Sequence, residues 1–215
     1  MTERVQLPLA PLPQGVILRG VTAVPAVVDG RQALRVELTD DLTFGGRWGV
    51  DFVDQPTFVI LPVPFQNGTL EVDLRSRLNG KGPAECRAFA GLAYRILGGG
   101  ESFECLYLRP LNGRKVDAPP IRHERAVQWF RYPEWPFDRL REERPGEFEG
   151  GADIGPDEWL RLRVEVSGRH VSASVDGVEI LSADTLAAPA EGLVGLFVDI
   201  GTEAFFADLV VTPLP

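Results

Sequence analysis

Hydrophobic and polar positions alternate with a period of two in many short stretches of this chain. In residues 69–75, Leu70, Val72 and Leu74 are apolar and the residues between them are polar, which predicts a strand buried on one face. Further candidate strands lie at 33–38, 58–61, 87–97, 102–110, 159–166, 171–175, 178–181, 193–198 and 204–211. Because alternating βα units are absent, the pattern predicts an all-β chain with antiparallel sheets, a sandwich or barrel.

Turn sequences separate the candidate strands. Asn67-Gly68, Ser167-Gly168 and Asp176-Gly177 are typical of tight turns between antiparallel strands. Gly98-Gly99-Gly100 is interpreted in the same way, as a hairpin turn rather than a phosphate-binding loop.

One long segment, at about 111–155, departs from this pattern. It is rich in Pro, Arg, Glu and aromatic residues, and it alternates poorly except at 127–132. A long ordered loop inside a compact domain is uncommon unless it is functional. We therefore predict a single domain over 1–215 with a long loop insertion at about 111–155, and we expect a functional site beneath that loop.

Composition excludes several classes of function. The 215 residues carry a formal net charge of -9, and no basic run is present, so we expect no nucleic-acid partner. The arginines from Arg109 to Arg144 are interleaved with acids and are interpreted as a mixed, solvated surface. Neither a signal-peptide pattern nor a membrane-length apolar run occurs, which predicts a cytoplasmic location and no membrane partner. Cys86 and Cys105 are predicted to be free thiols.

Several short motifs of the chain resemble those of a known superfamily. The residues concerned are 91–95, 103–110, 128–133, 159–168, 192–196 and 201–209. They are similar to the concanavalin A-like lectin/glucanase superfamily, most closely to its uncharacterised bacterial branch near the domains called 3-keto-disaccharide hydrolase. The resemblance implies a two-sheet antiparallel jelly-roll β-sandwich (concanavalin A-like). It also implies a small saccharide or glycoside ligand lying in a groove on the concave sheet.

Strand parity then suggests which side chains share a surface. If the apolar residues of 69–75 point inward, Glu71 and Asp73 point outward. The same argument turns Arg95, Tyr107 and Arg109 outward, and a hairpin that pairs residue 93 with residue 107 would bring them together. Such a surface suits a sugar, because aromatic faces pack on a pyranose ring while charged groups bind its hydroxyls.

Three residues in the segment 111–155 complete the predicted substrate-binding set. Gln128, Trp129 and Tyr132 are expected to form a wall of the same groove. A structural interpretation stays open beside this one. In it the arginines pair with Glu71 and Asp73 across strands, and the aromatic residues belong to the core.

Whether the chain is an enzyme stays undecided, and its catalytic residues are unassigned. Glu71-Val72-Asp73 matches the start of the laminarinase motif that the superfamily carries, but Arg75 and Ser76 stand where the second glutamate belongs. Glycoside hydrolysis, which needs two carboxylates, is the natural reaction if there is one. His123 and His170 do not suggest a triad or zinc site, and no metal or cofactor is predicted.

A different class of function also stays open. In this alternative the chain is a non-catalytic protein-interaction domain. Its long aromatic loop would contact a partner through Trp129, Tyr132, Trp135 and Phe137.

Overall fold

Two antiparallel β-sheets, packed face to face, contain most of the chain. The computed structural model describes residues 4–186 and 188–214. The first sheet contains β1 (Val5–Leu7), β3 (Val21–Val28), β4 (Arg31–Leu38), β6 (Gly68–Leu78), β11 (Leu160–Ser167), β12 (His170–Val175), β13 (Val178–Asp184) and β15 (Thr202–Pro213). The second sheet contains β2 (Ile17–Arg19), β5 (Phe58–Phe65), β7 (Ala90–Leu97), β8 (Ser102–Leu108), β9 (Val127–Tyr132), β10 (Glu149–Gly150) and β14 (Gly192–Val198).

Strand order within each sheet shows how the chain moves between the layers. The first sheet runs β13-β12-β11-β6-β15-β4-β3, with β1 also on β15, and the second runs β10-β9-β8-β7-β14-β5-β2. Consecutive strands such as β6 and β7 therefore lie in different sheets. Three short helices connect strands: α1 (Asp40–Gly45), α2 (Pro120–His123) and α3 (Phe137–Glu143). The predicted all-β, two-sheet antiparallel sandwich is confirmed.

The first sheet follows the one-sided alternation that the sequence predicts. In β6, Leu70, Val72 and Leu74 are fully buried, and their polar neighbours are only partly covered. The strand β11 repeats this pattern from Leu160 to Val166. Each apolar residue removed from water contributes to the same core, which stabilises the fold in proportion to the apolar area buried.

The second sheet is buried on both faces. One face packs against the first sheet, and the other carries a layer of aromatic side chains in edge or stacked contact: Phe58, Phe103, Tyr107, Phe130, Tyr132 and Phe197. In β9 the residues from Val127 to Phe130 are all buried. Strands covered on both faces lose the link between alternation and burial, so the partial alternation at 127–132 does not show that Gln128 and Trp129 are both buried.

The segment 111–155 is not the single loop insertion that the sequence predicts. It contains α2, β9, α3 and β10, and a 3-10 turn at Pro110–Asn112 leads into it. Two of these elements are strands at the edge of the second sheet, so much of the segment belongs to the sandwich itself.

Two simpler features complete the fold. Cys86 and Cys105 are buried free thiols, as predicted. Among the described residues, no helix has the length and apolarity needed to cross a bilayer.

Candidate functional site

A pocket of about 240 Å³ opens over the aromatic layer of the second sheet. The connection between β4 and β5 contributes Trp48 and Asp54 to it, and the end of β8 contributes Tyr107 and Arg109. A neighbouring depression of about 480 Å³ shares Trp48 and Asp54 and reaches Tyr132. The outer face of the second sheet therefore carries two adjoining depressions.

A chain of polar contacts crosses the floor of the pocket. Arg109 donates from Nη1 to Glu149 Oε1 at 2.8 Å and from Nη2 to the Tyr107 hydroxyl at 2.6 Å. The Tyr107 hydroxyl in turn donates to Asp54 Oδ1 at 3.3 Å. Tyr107, Arg109 and Asp54 are all buried. Such a connected network fixes the side chains in place, because each buried polar group already has a partner.

An unusual backbone turn places Asp54 in this network. Val53 and Asp54 have positive φ angles of 73° and 55°, a conformation that is costly for a β-branched residue such as valine. Their N–H groups donate to the two carboxylate oxygens of Asp199, at 2.9 and 3.0 Å, and Ile200 N–H donates to Asp199 at 2.7 Å. Asp199 thus stabilises the turn that directs Asp54 into the pocket.

The two aspartates differ in what they can do. Burial, together with the nearby charge of Asp199, raises the pKa of Asp54 to about 7. Burial also raises the pKa of Asp199, but three backbone N–H donors act in the opposite direction. The two aspartates therefore differ in their partners: both oxygens of Asp199 accept from backbone N–H groups, whereas Asp54 accepts from the Tyr107 hydroxyl on one oxygen and from the Phe137 N–H on the other.

Five guanidinium groups line the same pocket. They belong to Arg87, Arg109, Arg122, Arg125 and Arg141. Glu149 lies against Arg109, Arg125 and Arg141. Although burial would raise the pKa of Glu149, Arg141 and Arg109 hold it below its ordinary value.

The remaining two pocket arginines, Arg87 and Arg122, form no ion pair with a described acid. Within the described residues, no carboxylate lies within ion-pair distance of Arg87 or Arg122, although most arginines of the chain form such pairs. Arg87 donates to the carbonyl oxygens of Ala84 and Cys86, both at 2.6 Å. Burial lowers its pKa, and the charges of Arg122 and Arg109 lower it further. Most arginines from Arg109 to Arg144 do pair with acids, as the sequence suggests, and several of those pairs are exposed. Arg109 departs from that expectation because it is buried, and Arg122 departs from it because it has no ion pair among the described residues.

Four of the predicted binding residues lie on the pocket side of the second sheet. Tyr107 and Arg109 line the pocket itself, and Tyr132 bounds the neighbouring depression, its ring stacked on Phe103 at 5.3 Å between centroids. Gln128 lies opposite Tyr107 across the strands, but it is fully buried and its amide donates to the carbonyls of Trp129 and Phe148. Gln128 therefore holds neighbouring backbone in place rather than contacting a ligand.

Glu71 and Asp73 lie elsewhere, on the outer face of the first sheet. Because β6 belongs to that sheet, they cannot share a surface with Tyr107, and that part of the prediction is wrong. They pair with arginines of β4 and β11: Arg161 Nη1 lies 3.0 Å from Asp73, Arg163 lies 3.6 Å from Glu71, and Arg31 also contacts Asp73.

Arg95 and Trp129 also depart from the expected surface. The register of β7 and β8 pairs Ala93 with Cys105 rather than with Tyr107, and a β-bulge follows Tyr94. The bulge adds one residue, so Arg95 takes a φ of 51° and its side chain turns inward. There it pairs with Glu104 at 2.7 Å and donates to the carbonyl oxygen of Gly168, in the turn between β11 and β12. Trp129 is fully buried on the core side, and its indole donates to the Tyr94 hydroxyl at 3.0 Å.

Sequence reasoning missed Trp48, Asp54, Arg87 and Asp199 as site residues. Trp48 lies in the glycine-rich stretch Gly45-Gly46-Arg47-Trp48-Gly49, where no alternation assigns it to a core. An aromatic residue in such a loop is a usable signal. The role of Asp54 has no comparable signature, because it depends on a backbone conformation and on a carboxylate 145 residues away in the chain.

The fold resembles solved structures, although sequence comparison finds no relative. No family model matches the chain, and no curated protein matches it significantly. The carbohydrate-binding module CBM66 from Bacillus subtilis is similar, with 14% identity and a TM-score of 0.55 over 91% of this chain and 97% of that one. A Bacillus subtilis protein of unknown function with a galectin-like fold gives 12% identity and a TM-score of 0.57 over 99% and 98%. A glycosidic hydrolase gives 11% and 0.51 over 100% and 98%.

At these identities the likeness concerns the fold and does not extend to an activity. It fits the observed architecture of two antiparallel sheets, of eight and seven strands. The chain therefore has the galectin-like, concanavalin A-like jelly-roll fold that carbohydrate-binding and glycosidase structures share.

Proposed function

We propose that the protein binds a small saccharide or glycoside in the pocket above Tyr107 and Arg109. The observation that carries this proposal is the pairing of an exposed aromatic side chain, Trp48, with the fixed polar floor formed by Tyr107, Arg109 and Asp54. An aromatic face packs on the apolar side of a sugar ring, and convergent polar groups bind its hydroxyls.

The size of the pocket suits a short ligand. Its volume of about 240 Å³ is smaller than the roughly 300–1,000 Å³ typical of sites for drug-sized molecules. The neighbouring depression shares Trp48 and Phe137 with it and offers room for a second unit. We therefore propose one or two sugar units rather than a long polysaccharide, and the oxidised (keto) sugars suggested by the sequence resemblance are among the candidates.

Binding is a better proposal than glycoside hydrolysis. Hydrolysis normally requires two carboxyl groups on opposite sides of the scissile bond. Asp54 has the raised pKa of an acid, but both its oxygens already accept hydrogen bonds, from Tyr107 and from the Phe137 N–H. Both oxygens of Asp199 likewise accept backbone hydrogen bonds. Glu85, the other acid at the pocket, is exposed at its edge and has no contact that positions it.

A protein-interaction role for the aromatic residues of 111–155 has less support. Trp129 is fully buried, so no partner can touch it. The Trp135 ring is covered by Arg139 at 4.0 Å, and the Phe137 ring by Arg141 at 4.8 Å. These aromatic side chains do not form an exposed apolar patch of the kind that marks a docking surface.

Saturation-transfer NMR against a panel of mono- and disaccharides, including oxidised ones, tests the proposal. We expect transfer to at least one sugar, and we expect Trp48→Ala to weaken its binding about tenfold or more, as loss of a stacking aromatic does. Phe44→Ala is the matched control, because Phe44 is also exposed but does not line the pocket. If no sugar gives transfer, or if both variants weaken binding equally, the proposal is wrong.

A further inference from the structure

We infer that the saccharide bound here is acidic, carrying a carboxylate, sulfate or phosphate group that Arg87 and Arg122 hold. This inference rests on the proposed function and narrows its ligand class. It concerns two guanidinium groups that line the pocket and that the polar network on the pocket floor does not use.

The charges around the pocket are the first support. Five arginines line it, against Asp54, Asp199 and Glu85, with Glu149 behind Arg109 and Arg141. Asp199 accepts three backbone hydrogen bonds, and Glu149 is shared among Arg109, Arg125 and Arg141. Among the described residues, no carboxylate forms an ion pair with Arg87 or Arg122. The exposed Glu85 is near enough to act on the charge of Arg87 but makes no direct contact with it, so both guanidinium groups face the pocket without an ion-pair partner.

This arrangement is unusual for so acidic a protein. The chain has a formal net charge of -9, and its other surface arginines are paired for the most part with acids, as in the contacts of Arg75, Arg77 and Arg161. Bringing like charges together costs free energy unless a ligand of opposite charge compensates for it. A pocket that keeps this repulsion therefore has the electrostatics of an anion site.

The positions of the two guanidinium groups also support binding of an oxyanion. Arg87 is half-buried and is held by two backbone carbonyls, which leaves its other N–H groups free to donate. Arg122 is exposed at the end of α2. A planar guanidinium binds carboxylate, sulfate and phosphate oxygens through paired hydrogen bonds. The acidic group would lie on the Arg87 and Arg122 side, and the sugar ring would lie against Trp48.

Matched pairs of neutral and acidic sugars test this inference. The ligands are glucose with glucuronate, galactose with galacturonate, and glucose with glucose 6-phosphate and glucose 6-sulfate, measured by calorimetry or saturation-transfer NMR. We expect at least one acidic member to bind about tenfold or more tightly than its neutral partner, since hydrogen bonds to charged groups are stronger than neutral ones. The preference should shrink as salt is added.

Substitution of one arginine tests how much the anion contact contributes to affinity, separately from the rest of the pocket. Arg122→Gln should weaken binding of the acidic sugar about tenfold and should narrow its advantage over the neutral one. Arg163→Gln is the matched control, because Arg163 is equally a surface arginine but lies on the first sheet, away from the pocket. Arg163→Gln should leave the affinities for the acidic sugar and for the neutral sugar unchanged.

Each outcome distinguishes the two claims. If neutral sugars bind as tightly as acidic ones, the inference is overturned and the proposed function stands. If no sugar of either kind binds, the proposed function fails and the inference with it. If inorganic phosphate or sulfate alone binds as tightly as the acidic sugars, the site recognises a free anion and the acidic-saccharide inference is overturned.

Discussion

Asp54 is the residue whose chemistry the pocket changes most. Its carboxyl accepts hydrogen bonds from Tyr107 and from the Phe137 N–H, yet burial still raises its pKa to about 7. In the unfolded chain the same carboxyl titrates near 3.8. Between these values the folded protein binds more protons than the unfolded one, so this group makes folding less favourable as pH rises.

The pH dependence of the free energy of unfolding tests the raised pKa of Asp54. The favourable contribution of protonated Asp54 is fully present below about pH 4 and is lost as pH rises to about 7, by up to about 4 kcal/mol. Asp54→Asn removes this titration while keeping an acceptor for Phe137. We expect urea denaturation to show wild type losing stability relative to the variant between pH 4 and 7. A difference that does not vary with pH would contradict the raised pKa.

The bulge in β7 is the element that most changes the predicted surface. Strand parity is correct for Tyr107 and Arg109, which both face the pocket, but it fails at Arg95 because one extra residue reverses the direction of the side chain. The resulting buried pair of Arg95 and Glu104 links the second sheet to the turn at Gly168 in the first.

This pair can be tested by a double-mutant cycle. Arg95→Met leaves Glu104 buried without its ionic partner, and we expect the free energy of unfolding to fall by about 3–5 kcal/mol. Replacing both residues, with Arg95→Met and Glu104→Gln, should cost less than the sum of the single changes. If denaturant unfolding shows that the losses in free energy of unfolding are additive, the two side chains do not stabilise each other.

How far the sequence predicts the elements depends on how many faces of a strand are covered. β6 and β11 are covered on one face, so their alternation identifies both the strand and its buried residues. β9 is covered on both faces from Val127 to Phe130, so its sequence does not distinguish the side chains of the core from those of the opposite face. The site is predicted least well, because Asp54 depends on a positive φ and on a distant carboxylate.

For the molecule as a whole, the two outer faces of the sandwich have different characters. The first sheet carries a network of exposed ion pairs, including those of Arg75 with Asp157 and of Arg77 with Glu203. Exposed pairs of this kind contribute little to stability. The second sheet carries the aromatic layer and the pocket, where Arg87 and Arg122 form no ion pair with any described acid. A ligand is therefore expected on the second sheet alone.

The aromatic layer has a consequence for how a ligand would be found. Asp54 accepts hydrogen bonds from Tyr107 of this layer and from the Phe137 N–H, which joins both covering segments, those that carry Trp48 and Phe137, to the sheet. We therefore expect those segments to unfold together with the sheet rather than open independently. A ligand at 100 times its dissociation constant would then stabilise the entire chain by about 2.7 kcal/mol. For a protein of this length that raises the melting temperature by about 5–10 °C. Thermal melting alone can thus report occupancy of the pocket, and a sugar library can be screened on the unlabelled protein.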